Sequence, residues 1–184
     1  RQTTHDFQNH LCTISDLLAQ KSYETAAKYV RELSQAQTSR ILIVNTHHPI
    51  IDAILNQKYQ MAVESQIEMR FCINDLSGIQ LSASELVVLL SNLLDNAIEA
   101  CRRIDTERLI RCTILENDGS FLSIRNTSLP VLITEHGIAT TKASASEHGY
   151  GLPSVCRILD GLHAEYAYNY EDGWFQFAAE IPSK

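Results

Sequence analysis

Two polar signals in apolar surroundings carry the chemistry of this chain. Asn92-Leu93-Leu94-Asp95-Asn96 lies within a strongly apolar run, and His148-Gly149-Tyr150-Gly151-Leu152 opens a later helical segment through two glycines. Asn92, Asn96 and Glu99 are four and three residues apart and so share one stripe of a helix. Asn is a mediocre helix former. Two in mid-helix are either solvated polar residues or carboxamide oxygens facing a hydrated Mg²⁺ between nucleotide phosphates. Gly149 and Gly151 let the backbone approach a ligand closely, and the helix that follows offers unpaired N–H groups that suit phosphate. Pro153 falls in its first turn, where a missing N–H costs little. Together the two signals describe a nucleotide held between a helix face and a glycine loop.

Three weaker signals surround them. Lys142 lies in the polar, irregular stretch 127–148, as a mobile cation for a terminal phosphate or as a solvated loop lysine. Asn126 ends a strand at the start of that stretch, where its carboxamide could pair with adenine or simply begin a turn. Near the start stands His5-Asp6-Phe7-Gln8-Asn9. A neutral imidazole nitrogen of His5 could attack a phosphoryl group, Asp6 could orient the ring or take its proton, and Asn9 is one turn further on. His10 lacks the Asp neighbour. Adjacent His47 and His48 point apart on any regular element and read as a linker rather than a metal pair.

The elements that must position these groups follow from periodicity. Phe7, Leu11, Ile14 and Leu18 make one apolar stripe, which predicts a helix over 1–20. A second helix is expected from Glu24 to about Val44, and the two form a helical hairpin. Its stripe exceeds what one partner helix buries, so a second hairpin from another subunit is expected. A third helix should span 50–66 and a strand 67–74. Ser82-Ala83-Ser84-Glu85 is a capping-box signature ahead of the strongest helix, 83–103. Strands at 109–116 and 120–126 flank Asn117-Asp118-Gly119. Strands at 163–170 and 174–181 flank Asp172-Gly173. Between these pairs a helix runs to Leu159, with Gly161 as its expected C-cap. The fold class is α+β: a helical hairpin over 1–44, then an α/β sandwich over 45–184 with helices on one face of a mixed sheet.

Composition narrows the function. Of 184 residues, 45% are hydrophobic and 20% charged, the globular range, and the net charge of -7 leaves no basic stripe for nucleic acid. No apolar run approaches the ~20 residues that span a bilayer. Five cysteines without a C-x-x-C pair read as reduced thiols of a cytoplasmic protein. The missing initiator Met leaves room for an upstream membrane sensor.

The ordered set Asn92–Asn96, Asn126, Thr140-Thr141-Lys142 and Gly149–Leu152 resembles the ATP-binding domain shared by gyrase, Hsp90, histidine kinases and MutL proteins. With His5-Asp6-x-x-Asn9 on a helical hairpin, it most resembles sensor histidine kinases of the peptide-pheromone (quorum-sensing, Agr-type) receptor subfamily. The resemblance implies ATP and Mg²⁺ as cofactors. Asn96 would be the Mg²⁺ ligand, with Asn92 beside the phosphates, Asn126 at the adenine and Lys142 in a lid. Gly149, Gly151 and Leu152 would form the phosphate loop. It implies His5 as phosphoacceptor, a homodimer, and a response regulator as recipient of the phosphoryl group. Thr4 departs from the basic residue usual before that His. Two alternatives stay open: a scaffold or phosphotransferase without catalysis, and a protein-serine kinase of the same fold.

Overall fold

The computed structural model describes residues 2–34, 43–131, 133–134, 137–138 and 151–183. The side chains of 2–7, 31, 33–34, 133–134 and 137–138 are outside that description, as are Lys142 and Gly149 altogether. The chain divides into two compact units, Arg1–Ile41 and Leu42–Lys184.

The first unit is a helical hairpin of α1 (Gln2–Ala19) and α2 (Tyr23–Ser34). Lys21 turns the chain with φ 57°. Its N–H reaches Leu18 O at 3.0 Å and the Ser22 N–H reaches Leu17 O at 2.9 Å, the paired bonds of a Schellman C-cap. His10 Nδ1 pairs with Tyr29 Oη at 2.9 Å and ties the two helices together. Leu11, Leu18 and Val30 of the hairpin are 50%, 48% and 42% exposed.

The second unit is a five-stranded sheet with helices α3 (Pro49–Glu64), α4 (Ala83–Arg102) and α5 (Gly151–Gly161). The strands are β1 (Glu68–Ile73), β2 (Leu109–Glu116), β3 (Gly119–Thr127), β6 (Glu165–Glu171) and β7 (Trp174–Pro182). They lie in the order β1-β2-β3-β7-β6. The β1–β2 pair is parallel, because α4 crosses between them; β2–β3 and β6–β7 are antiparallel hairpins, and β3–β7 is an antiparallel pairing between them. Within 127–148, β4 (Ile133–Thr134) pairs with β5 (Gly137–Ile138) in a separate two-stranded ribbon. The expected α+β class, mixed sheet and helix layer are all present.

The core sits between α4 and the sheet. Leu86, Leu89, Leu90, Leu93, Leu94, Ala97, Ile98 and Cys101 of α4 are buried against Ile110, Ile114, Leu122, Ile124 and Phe177. Each large side chain there contributes about 1.5–3 kcal/mol. The capping box starts α4 as expected. Ser82 Oγ accepts from the Glu85 N–H at 3.3 Å, and Glu85 Oε2 accepts from the Ser82 N–H at 2.6 Å. On the other sheet face Trp174 packs under the guanidinium groups of Arg125 and Arg111, 4.6 and 5.2 Å from its ring centre, while Phe175 packs against the core.

Three expectations are corrected. The second helix does not reach Val44. Ile43 and Val44 are non-helical, and their N–H groups both donate to Asn56 Oδ1 on α3, at 2.7 and 3.0 Å. Gly161 is not the left-handed cap of α5 but its last helical residue. His163 takes that role at φ 55°, with its N–H on Asp160 O (3.1 Å) and the Ala164 N–H on Leu159 O (2.9 Å). Gln66 ends α3 in the same way at φ 56°. Nor are His47 and His48 merely a linker. His48 Nδ1 accepts the Ile51 N–H and caps α3, while His47 Nδ1 meets Asp75 Oδ2 at 2.8 Å. Hydrogen bonds from Ser77 and then His47 hold the Asp75 carboxyl down at about 2. Among the described residues no cluster of three or more His, Cys, Asp or Glu could hold a metal. No described helix is long and apolar enough to cross a membrane.

Candidate nucleotide site

The face of α4 turned away from the core carries Asn92, Asp95, Asn96 and Glu99. Leucines at 86, 89, 90, 93 and 94 fix this orientation by claiming the opposite side for the sheet. Asn92 is half-buried. Its Nδ2 donates to Val88 O one turn back at 2.7 Å, which leaves Oδ1 without that bond. That oxygen meets the start of α5. A Cβ built on Gly151 would stand 3.0 Å from Asn92 Oδ1 and 3.7 Å from its Cγ. The two signals, far apart in sequence, therefore lie side by side, and any side chain at 151 would require the Asn92 carboxamide to give by a few tenths of an ångström. Leu152 follows on α5 and packs partly buried against the core, so it anchors the start of α5. Asn96, one turn along α4 from Asn92, is exposed.

At the other end of α4 the strand residue Asn126 is 2% exposed. Its Nδ2 donates to Thr127 O at 3.0 Å. The same carbonyl accepts from Cys101 Sγ at 3.3 Å, and Thr127 Oγ1 accepts from the Leu109 N–H at 3.0 Å. Burial pushes the Cys101 thiol up, so it stays a neutral donor. These bonds bind the C-terminal half of α4 to the end of β3. From Asn92 to Cys101 the helix rises about 14 Å, so the carboxamides at 92 and 96 and the buried Asn126 lie toward different ends of α4. The amide oxygen of Asn92, the exposed amide of Asn96 and a helix start without a side chain suit an anionic ligand with a hydrated cation.

One pairing on this face was not foreseen. Lys58 Nζ, on α3, donates to both oxygens of Asp95 at 2.7 and 2.8 Å. The signal was present in the sequence: Lys58 is a lone charge within the apolar stripe Ile51, Ile54, Leu55 and Ala62. On the hairpin, His5 and Asp6 belong to α1, with their side chains outside the described set, and Asn9 is exposed. Lys142 and Gly149 cannot be joined to the site, since both lie outside the described residues.

A helix bearing spaced amides, a glycine-started helix packed on it and a mixed sheet beneath define a nucleotide-binding α/β sandwich. Residues 81–182 match the family model described as the GHKL domain. The chain belongs to the GHKL family of ATP-binding domains. Among curated relatives it is 28% identical over 166 residues to sensor histidine kinase CitA of Klebsiella pneumoniae, covering 83% of this chain and 30% of the relative. It is 30% identical over 171 residues to sensor histidine kinase DpiB of Escherichia coli (strain K12), covering 83% and 30%. Against sensor histidine kinase DcuS of the same strain it is 28% identical over 197 residues, covering 99% and 35%. The chain thus spans about a third of the length of these relatives. Among solved structures, the catalytic domain of histidine kinase ThkA superposes with TM-score 0.59 at 19% identity, covering 74% of this chain and 94% of that one. The Acinetobacter baumannii histidine kinase AdeS gives 0.52 at 14% identity, covering 97% of both.

Proposed function

We propose that this chain is the cytoplasmic catalytic core of a two-component sensor histidine kinase. In this reading residues 45–184 bind ATP along α4, and residues 1–44 form the dimerisation hairpin that presents His5. The observation that carries it is the close approach of Asn92 Oδ1 to the side-chain position of Gly151, 3.0 Å from where a Cβ would stand, which brings the amide-bearing helix against the glycine start of α5. Asn96 would hold Mg²⁺, with Asn92 beside the phosphates; a bound Mg²⁺ supplies charge neutralisation for the phosphates. The exposed amide of Asn96 and the cradle at Gly151 fit that ion and its polyphosphate ligand. Asn126 stands at the adenine end, and Lys142, Gly149 and Leu152 complete the phosphate side.

Asn92 is not a base. A carboxamide cannot take a proton from water, so direct hydrolysis is slow and transfer to a side chain that brings its own lone pair is favoured. A neutral ring nitrogen of His5 forms the N–P bond as the bond from the γ-phosphorus to the bridging oxygen breaks. ADP leaves with the electron pair, and Asp6 takes the proton from the other ring nitrogen. Asn9, one turn on, orients the phosphoryl group. Catalysis is mostly positioning. The uncovered Leu11, Leu18 and Val30 support a homodimer through a four-helix bundle. An aspartate of a response regulator then receives the phosphoryl group, and a membrane enters only through a sensor region upstream. The narrower placement among peptide-pheromone receptors rests on the motif order of His5-Asp6-x-x-Asn9 with Asn126 and Gly149–Leu152.

The test is incubation with γ-labelled ATP and Mg²⁺ beside His5→Gln and Asn96→Ala. Acid-labile, alkali-stable label lost in both variants supports the kinase. ATP binding with phosphoserine on a partner and His5 dispensable would support a serine kinase instead. Neither label nor ATP binding would leave a scaffold.

A further inference from the structure

Lys58 is a charge placed where the fold does not need one. Its side chain is 8% exposed, and both its hydrogen bonds to carboxylate go to Asp95, whose side chain is 48% exposed. An apolar pair would hold α3 on α4 at least as well, because desolvating an ammonium consumes most of what a buried ion pair returns. The pair is also asymmetric: the cation lies inside, and the anion lies at the rim of the helix that carries the candidate phosphate-side amides. Asp95 stands three residues after Asn92 and one before Asn96. A carboxylate at that position faces the polyphosphate arm of a nucleotide. Unneutralised, it would repel that arm, and repulsion in a partly desolvated site is several-fold stronger than in water.

We propose that Lys58 is a positioning residue of the nucleotide site: it neutralises Asp95 from beneath the helix and holds its carboxylate to the α3 side, so that the Asn92–Asn96 face accepts a polyphosphate. The inference rests on the ATP reading above and concerns the phosphates, not the base.

The experiment is calorimetric titration of the whole chain with ATP, ADP and AMP, each with Mg²⁺ and with EDTA, for wild type, Lys58→Met, Asp95→Asn and the double variant. Lys58→Met bares the carboxylate and weakens ATP roughly ten-fold, ADP less and AMP least, with a wider spread in EDTA. Asp95→Asn removes the repelling charge and keeps the cation, so no nucleotide is weakened. The double variant returns ATP to within about three-fold of wild type. A pair that only ties α3 to α4 predicts the opposite: both single variants weaken all three nucleotides alike, and that pattern overturns the inference. If Lys58→Met does not fold, Asp95→Asn still decides, since a loss of ATP affinity there is incompatible with a repelling Asp95. Wild-type protein that binds none of the nucleotides removes the ATP reading itself. Wild-type binding with charge-independent losses removes only the role of Lys58.

Discussion

Replacing Gly151 by Ala separates a packing role from a ligand role. The new methyl would lie 3.0 Å from Asn92 Oδ1, 3.7 Å from its Cγ and 3.8 Å from its Cβ, so the carboxamide must yield. It is not free to do so, because Nδ2 is held by Val88 O at 2.7 Å. Bending that bond costs about 0.5–1.5 kcal/mol. Ala in place of Gly in a helix returns up to about 1 kcal/mol. The two nearly cancel, so stability changes by less than about 1 kcal/mol. Nucleotide affinity has no such offset. In the proposed ATP site the Asn92 oxygen would be displaced, and the start of α5 would lose its close approach to phosphate. A lost hydrogen bond to a charged group is worth about 1.5–3 kcal/mol, so ATP affinity should fall roughly 10- to 150-fold. Urea melts and ATP titrations on one preparation read both quantities. ATP affinity within two-fold of wild type, with Asn92→Ala losing it, would refute the reasoning. So would a stability loss above about 3 kcal/mol, which would make Gly151 a packing glycine alone.

Four other outcomes follow from single features. His163→Gly relieves a left-handed φ of 55° and should raise stability by about 0.5–1 kcal/mol in a thermal melt, after Gly's larger unfolded-state entropy is subtracted. Asn126→Asp replaces the donor to Thr127 O with a buried carboxylate facing a carbonyl, at a cost of about 2–3 kcal/mol near neutral pH. The folded-state pKa of that new Asp is raised, so the loss should shrink as pH falls through the carboxylate range; a loss that grows instead would contradict the geometry. Burial pushes the Cys112 thiol up to about 12. The unfolded state therefore ionises first, and stability present below the ordinary thiol value of 9.0 is lost as pH rises from there toward 12. Exposed Cys12 and Cys72 should react with a thiol reagent at once, and Cys101 and Cys112 only on unfolding.

What the sequence determined by itself was whatever depends on neighbours a few residues apart. The leucine period of α4, its Ser82–Glu85 box, and the Asp172-Gly173 turn, with φ of 50° and 80°, are local, and each is present. The caps at Lys21, Gln66 and His163 are local too, but their backbone bonds form around non-glycine residues at positive φ, so the glycine signal at 161 misled. Tertiary structure decided which local signals meet. Asn56 ends the chain's approach to α3 by taking the N–H groups of Ile43 and Val44, which no helical period of α2 announces. Lys58 was legible as an anomaly in an apolar stripe, yet its partner Asp95 was not, because the packing of α3 on α4 selects the pair. The same holds for Gly151 on Asn92 and for Cys101 on Thr127. Sequence spacing fixes the face a residue occupies; only packed elements fix what that face touches, because contact requires two faces at one distance and one register.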